Sequence, residues 1–135
     1  MPAASPLRAA VEVLPAESEL STAARFTVAD TETVLPGHYP GFPIFPGVCL
    51  VECARQGAEA TLPDGAKGTR LAAVESTRFT GPVFPGDRID IAMAWKRTPA
   101  GDWQVRANLT TGRGPAAGVR LRYATPATTG EAAAA

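Results

Sequence analysis

Apolar and polar residues alternate with period two along most of the chain. In "LRAAVEV", Leu7, Ala9, Val11 and Val13 face one way, while Arg8 and Glu12 face the other. "LSTAARFTV" puts Leu20, Ala24, Phe26 and Val28 on one side and Ser21, Arg25 and Thr27 on the opposite one. Further on come "RLAAVESTRF", then "RIDIAMAWK" with Ile89, Ile91, Met93 and Trp95 aligned. "WQVRANL" aligns Trp103, Val105, Ala107 and Leu109, and "VRLRY" aligns Val119, Leu121 and Tyr123. Such alternation predicts strands with one dry and one wet face, as antiparallel sheets have. Turn chemistry separates them at "TPAGD", 98–102, and "GRGPAAG", 112–118.

Only one segment departs from that rhythm to predict a substantial helix, Val48 to Leu62, opened by Pro46 and Gly47 and closed by Pro63. Its first half, "VCLVECA", is apolar around nearly its whole circumference, which predicts burial on all sides. A flat sheet covers only one side of a helix. The expected fold is therefore α+β: a curved antiparallel sheet of five or six strands wrapped around one long central helix. Two strands precede the helix and three or four follow. Residues 1–135 are expected to form one domain, with 1–5 and 126–135 as frayed tails.

Charge and composition narrow the function classes. Thirteen Lys and Arg balance thirteen Asp and Glu, so no basic footprint suggests nucleic-acid binding. Pro and Gly interrupt every apolar run before it could cross a bilayer. The opening "MPAASPLRAAVEV" lacks a basic region followed by an apolar one, which points away from export. Cys49 and Cys53 sit four apart on the predicted helix, where a mutual disulfide is implausible. A reduced, cytoplasmic protein is expected.

Candidate chemistry gathers in "GHYPGFPIFPGVCLVECARQ", Gly37 to Gln56. Glu52 lies in the apolar helix, where burial favours the uncharged form and makes it a proton donor at neutral pH. Gln56 is one turn on and able to hydrogen-bond it, and Cys49 and Cys53 border the same face. The simpler reading of Glu52 alone is a helix residue turned to solvent. His38, the sole histidine, titrates near neutrality and is a candidate general base; a lone loop histidine is more often structural or merely exposed. Its loop, however, is stiffened by Pro40, Pro43 and Pro46, which restrict Tyr39, Phe42 and Phe45 to extended geometry. The unpaired N–H groups of the helix start suit a developing oxyanion, and Gly47 has no side chain to block approach. Base, acid and oxyanion donor together equip a site to remove a proton alpha to a carbonyl and expel a beta-hydroxyl. A metal site from His38, Cys49, Glu52 and Cys53 is conceivable on ligand type, but small core residues are the readier reading of the two cysteines.

The same segment resembles the active-site stretch of the (3R)-hydroxyacyl-(acyl-carrier-protein) dehydratases, a hotdog-fold family. There a His-aromatic-Pro-Gly-x-Pro-x-x-Pro-Gly-Val run leads into the central helix, with an acid fourteen residues after the histidine, as His38 and Glu52 are spaced here. "RFTGPVFPGDRI", Arg78 to Ile89, is similar to a second family segment. Together the two cover about a quarter of the chain. The family's usual opening segment is missing, and "VEVLPAESEL" stands roughly in its place; Tyr39 replaces the commoner Phe.

The resemblance implies a dehydratase of fatty acid or polyketide synthesis. Its substrate is a (3R)-3-hydroxyacyl thioester on the phosphopantetheine arm of acyl carrier protein, and its product a trans-2-enoyl thioester. It implies no metal or organic cofactor. His38 takes the alpha proton, the Gly47 N–H stabilises the enolate oxygen, Glu52 protonates the departing hydroxyl, and Gln56 orients Glu52. The Ile44 carbonyl holds the other imidazole nitrogen. It also implies a homodimer with composite sites, the histidine of one subunit facing the acid of its partner. Alternatives are a hotdog acyl thioesterase and a non-catalytic hotdog subunit that binds acyl chains or completes a heterodimer; a higher oligomer is also open. An acidic carrier protein would seek a basic surface; between Asp102 and Glu131 there is no acid, yet Arg106, Arg113, Arg120 and Arg122 lie there. A solvated sheet face accounts for them equally well.

Overall fold

The bulky alternating stretches become the middle of a sheet in the computed structural model of the chain, which describes residues 11–28, 47–84 and 86–125. The expected tails, 1–5 and 126–135, lie outside the described residues, as do His38 and Ile44. In chain order the elements are β1 (Glu12–Ser18), β2 (Ser21–Thr27), α1 (Gly47–Ala60), a 3-10 turn (Asp64–Ala66), β3 (Arg70–Phe79), β4 (Arg88–Arg97), β5 (Trp103–Thr111) and β6 (Gly114–Ala124). The six strands form one antiparallel sheet in the order β1-β2-β4-β5-β6-β3. Ile89, Ile91, Met93, Trp95, Trp103, Val105, Ala107, Leu109, Val119, Leu121 and Tyr123 all turn to one buried face, as the alternation predicts.

Helix α1 lies across that face. It buries Cys49, Leu50, Cys53, Ala54, Gly57 and Ala58, mostly small residues that let the helix approach the strands closely. A Cβ on Gly57 would sit 3.4 Å from Ala24 Cβ and from the Met93 thioether. Thr61 Oγ1, just past the helix end, donates to the Gly57 carbonyl at 2.9 Å and receives the Thr22 hydroxyl at 3.1 Å, fastening that end to β2.

The expected wrapping does not occur. The sheet is open, with β1 and β3 as its edges, and it covers α1 from one side only. Val48 is 69% exposed, and Glu52, Arg55 and Gln56 are incompletely buried, on the side turned from the sheet. The apolar girth of "VCLVECA" was the reason to expect enclosure. The sheet satisfies it only in part, leaving Val48 and part of Val51 uncovered.

Two edges depart from the alternation. β1 is Glu12–Ser18, with Leu7 and Ala9 outside the described residues, and Val13 is exposed because this strand is held by pairing to β2 rather than by an apolar face. Leu20 falls in the β1–β2 turn and faces outward, and Thr22 takes the inward position on β2. At the other edge, β3 is largely exposed and its register with β6 shifts twice, between Leu71 and Ala73 and between Val74 and Ser76. No helix among the described residues is long and apolar enough to cross a membrane.

Candidate functional site

Three of the five residues expected to form the site are described, and all three lie on α1. Gly47 is its first residue, Glu52 follows in the second turn, and Gln56 is one turn further. Helical spacing brings Glu52, Arg55, Gln56 and Glu59 onto one face. Gln56 Nε2 donates to Glu52 Oε2 at 2.9 Å, as the spacing predicts. Arg55, which sequence reasoning passed over, holds the same carboxylate through two N–H groups, Nε to Oε1 at 2.8 Å and Nη2 to Oε2 at 2.6 Å. The signal was in plain view as an i,i+3 acid–base pair.

The Glu52 side chain is 14% exposed and that of Arg55 35%. Hydrogen bonding to Glu52 pushes the Arg55 guanidinium still further above its usual range, with burial acting in the opposite direction. Arg55 Nη1 also donates to Glu59 Oε1 at 2.8 Å, and the Tyr123 hydroxyl donates to Glu59 Oε2 at 3.1 Å. Burial first, and the Glu59 carboxylate second, push the Tyr123 phenol well above its usual range. A chain of charged and polar contacts thus runs from the sheet core on β6 to Glu52.

The helix start has a companion that the sequence did not announce. The Phe79 ring, at the end of β3, lies where a Cβ on Gly47 would stand, 3.0–3.1 Å away. A Cβ here would press on the Phe79 ring, which would have to give by a few tenths of an ångström. Phe79 is itself 52% exposed, so one ring face remains uncovered beside the helix start.

Cys49 and Cys53 are buried in the core between helix and sheet, neither in a disulfide, which is the core placement expected of them. Among the described residues no cluster of three or more His, Cys, Asp or Glu side chains is arranged to hold a metal ion. Of the four arginines weighed as a basic surface, Arg113 pairs with Asp87 and stacks 4.9 Å over Phe84. Arg122 pairs with Asp102 at 3.0 Å and with Glu75 at 3.3 Å. Arg106 and Arg120 stand opposite one another on β5 and β6.

Comparison with known proteins adds three findings. A family model described as "ApeI-like: ApeI dehydratase" matches residues 15–113. A 3-hydroxyacyl-(acyl-carrier-protein) dehydratase FabZ of Symbiobacterium thermophilum is 44% identical over 80 residues, 55% of this chain and 56% of that protein. The chain thus spans about half the length of the curated relatives it matches, 56% and 52% for two of them. Among solved structures, the dehydratase heterocomplex ApeI:P of Xenorhabdus doucetiae superposes with a TM-score of 0.63 at 20% identity, covering 79% of this chain and 89% of that one. The smu.793 protein of Streptococcus mutans, solved bound to acetyl CoA, gives 0.64 at 15% identity over 87% and 89%. The two structural likenesses establish a hotdog-like sheet and helix.

Proposed function

The chain belongs to the ApeI-like family, and from that premise we propose that it is an acyl-thioester dehydratase. It removes water from a (3R)-3-hydroxyacyl thioester carried on acyl carrier protein and leaves a trans-2-enoyl thioester. The observation that carries the reading is Glu52: a largely buried carboxyl in the second turn of α1, held by Gln56 and Arg55, on the same helix whose start is Gly47.

His38 takes the proton from the carbon alpha to the thioester carbonyl, and the Gly47 N–H at the positive end of the helix holds the oxygen of the enolate. The bond from the beta carbon to its hydroxyl then breaks. The electron pair left on the alpha carbon forms the double bond, and the departing hydroxide takes a proton from Glu52 and leaves as water. The Ile44 carbonyl fixes the imidazole tautomer. Arg55 holds both oxygens of Glu52 through two N–H groups and so helps to orient the acid for this step. General acid and base groups each contribute about 10²–10⁴-fold, and Glu52→Gln loses that acid while keeping the side chain's size.

The site is completed by a second subunit. The outer edge of β3 is unpaired among the described residues, and Val74, Phe79 and Val48 beside it are exposed, which is an edge a partner would cover. A homodimer with His38 and Glu52 contributed across the interface is the simplest arrangement. A heterodimer is the second reading, favoured by the heterocomplex formed by the ApeI:P relative; in it this chain could bind acyl chains without turning them over.

Incubation with a panel of 3-hydroxyacyl carrier proteins, read by mass spectrometry, separates the readings. Loss of one water from the carried acyl chain supports the dehydratase, and release of free carrier thiol supports a thioesterase. Turnover only after addition of a second hotdog chain supports the partner subunit.

A further inference from the structure

On the sheet face turned away from α1, the side chains of β3, β5 and β6 surround a cleft of about 340 Å³ lined by Ser76, Arg78, Arg106, Asn108, Gly118 and Arg120. Three guanidinium groups line it and no acid does. Arg106 and Arg120 are direct cross-strand partners. Like charges in that position destabilise a sheet, so the arrangement works against folding unless something else compensates it.

One carboxylate serves this corner of the sheet and it is shared. Glu75 forms an ion pair with Arg120 at 3.6 Å, too long for a hydrogen bond, while it receives Gln104 Nε2 at 3.0 Å and pairs with Arg122 at 3.3 Å. Arg120 Nε is shielded from water and lacks a hydrogen-bond partner. Neither Arg78 nor Arg106 has an ion pair among the described residues.

Gly118 makes the concavity. It sits in the middle of β6 opposite Asn108, where glycine weakens a strand and often marks close approach by a ligand. The nearest atom to a Cβ placed there is Asn108 Oδ1 at 3.9 Å, so the space is unfilled rather than crowded. Nothing in the packing requires glycine at this position.

We propose that this cleft binds a small phosphate-bearing molecule. The planar fork of arginine matches phosphate oxygens two at a time, and Ser76 and Asn108 add neutral donors to the rim. The volume falls in the range of small-molecule sites rather than of flat protein contacts. The site lies across the sheet from Glu52, so it is separate from the thioester pocket and does not depend on the dehydratase reading.

Isothermal titration and thermal shift with inorganic phosphate and with pyrophosphate test it, with a poly-glutamate peptide as the competing probe. Pyrophosphate should bind saturably and raise the unfolding temperature, more than phosphate does, and weaken as salt increases. Arg106→Gln and Arg120→Gln should each weaken pyrophosphate binding at least about tenfold. Gly118→Ala should reduce it likewise while leaving the ligand-free unfolding temperature at or above that of the unaltered chain. Absence of saturable pyrophosphate binding at low salt overturns the proposal. So does undiminished binding by the Gly118→Ala variant, or a preference for the acidic peptide, which would mark the face as a protein-docking surface.

Discussion

Replacing Arg55 by Met keeps the aliphatic stem and helix propensity while deleting the guanidinium that holds Glu52 and Glu59. Two charge-assisted hydrogen bonds to a carboxylate only 14% exposed are lost, and one to the more open Glu59. Hydrogen bonds to charged groups contribute about 1.5–3 kcal/mol where water is largely excluded. The Glu59 pair, at 38% exposure, adds only about 0.3–0.5 kcal/mol after solvent screening. The variant should therefore unfold about 2–3 kcal/mol more easily, which for a chain of this size lowers the thermal midpoint by about 8–12 °C. Urea unfolding at neutral pH measures the difference directly. A second readout separates structure from chemistry. The dehydration rate of the variant should fall by more than the lost stability explains, because Arg55 also orients the Glu52 carboxyl that the proposed step uses. A variant within about 0.5 kcal/mol of the unaltered chain, with an unchanged dehydration rate, would refute both the energetic and the mechanistic reasoning about this pair.

Other substitutions probe particular contacts. Gly81→Ala places a Cβ 2.8 Å from the Pro115 carbonyl oxygen, part of a backbone pinned by the Thr80 and Gly81 N–H groups on the Ala116 carbonyl. It should cost about 1–3 kcal/mol in chemical denaturation, and a neutral result would show that this loop yields freely. Gly47→Ala meets the Phe79 ring at 3.0 Å, so its cost should shrink in a Phe79→Ala background; strict additivity in the double-mutant cycle would deny the contact. Tyr123→Phe tests the buried phenol. Its folded-state ionisation is displaced upward, so its contribution is complete below about pH 10, where the unfolded phenol ionises, and is lost above it. Unfolding free energy should therefore fall more steeply with rising alkaline pH in the unaltered chain than in Tyr123→Phe, and equal slopes would contradict the assignment.

How much of this was legible in the sequence depended on side-chain size and range. On β4, on β5 and on the Val119–Tyr123 half of β6, apolar residues alternate with polar or small ones, and their inward faces follow directly. On β1 the pattern misled. Val13 is apolar yet exposed, because that edge strand takes its stability from hydrogen bonding to β2 rather than from burial. The apolar ring of α1 suggested enclosure by one sheet, whereas the chain's own sheet covers a single side and Val48 is left for something else to meet. Short-range contacts such as Gln56 to Glu52 could be read from helical spacing; Arg55 to Glu52 could have been, and its charge changes the picture of the acid. The Phe79 ring over Gly47 and the Tyr123 hydroxyl on Glu59 join residues far apart in sequence, where no periodicity speaks. His38 and Ile44 lie outside the described residues, so their placement rests on motif spacing.

The most direct measurement follows the conjugated enoyl thioester as it forms. A 3-hydroxyacyl thioester on carrier protein is mixed with the unaltered chain, with His38→Ala and with Glu52→Gln, and the ultraviolet absorbance of the enoyl product is recorded over time. The account predicts a rise with the unaltered chain and almost none with either variant. An undiminished rise with Glu52→Gln would contradict it, as would free thiol accumulating without enoyl product.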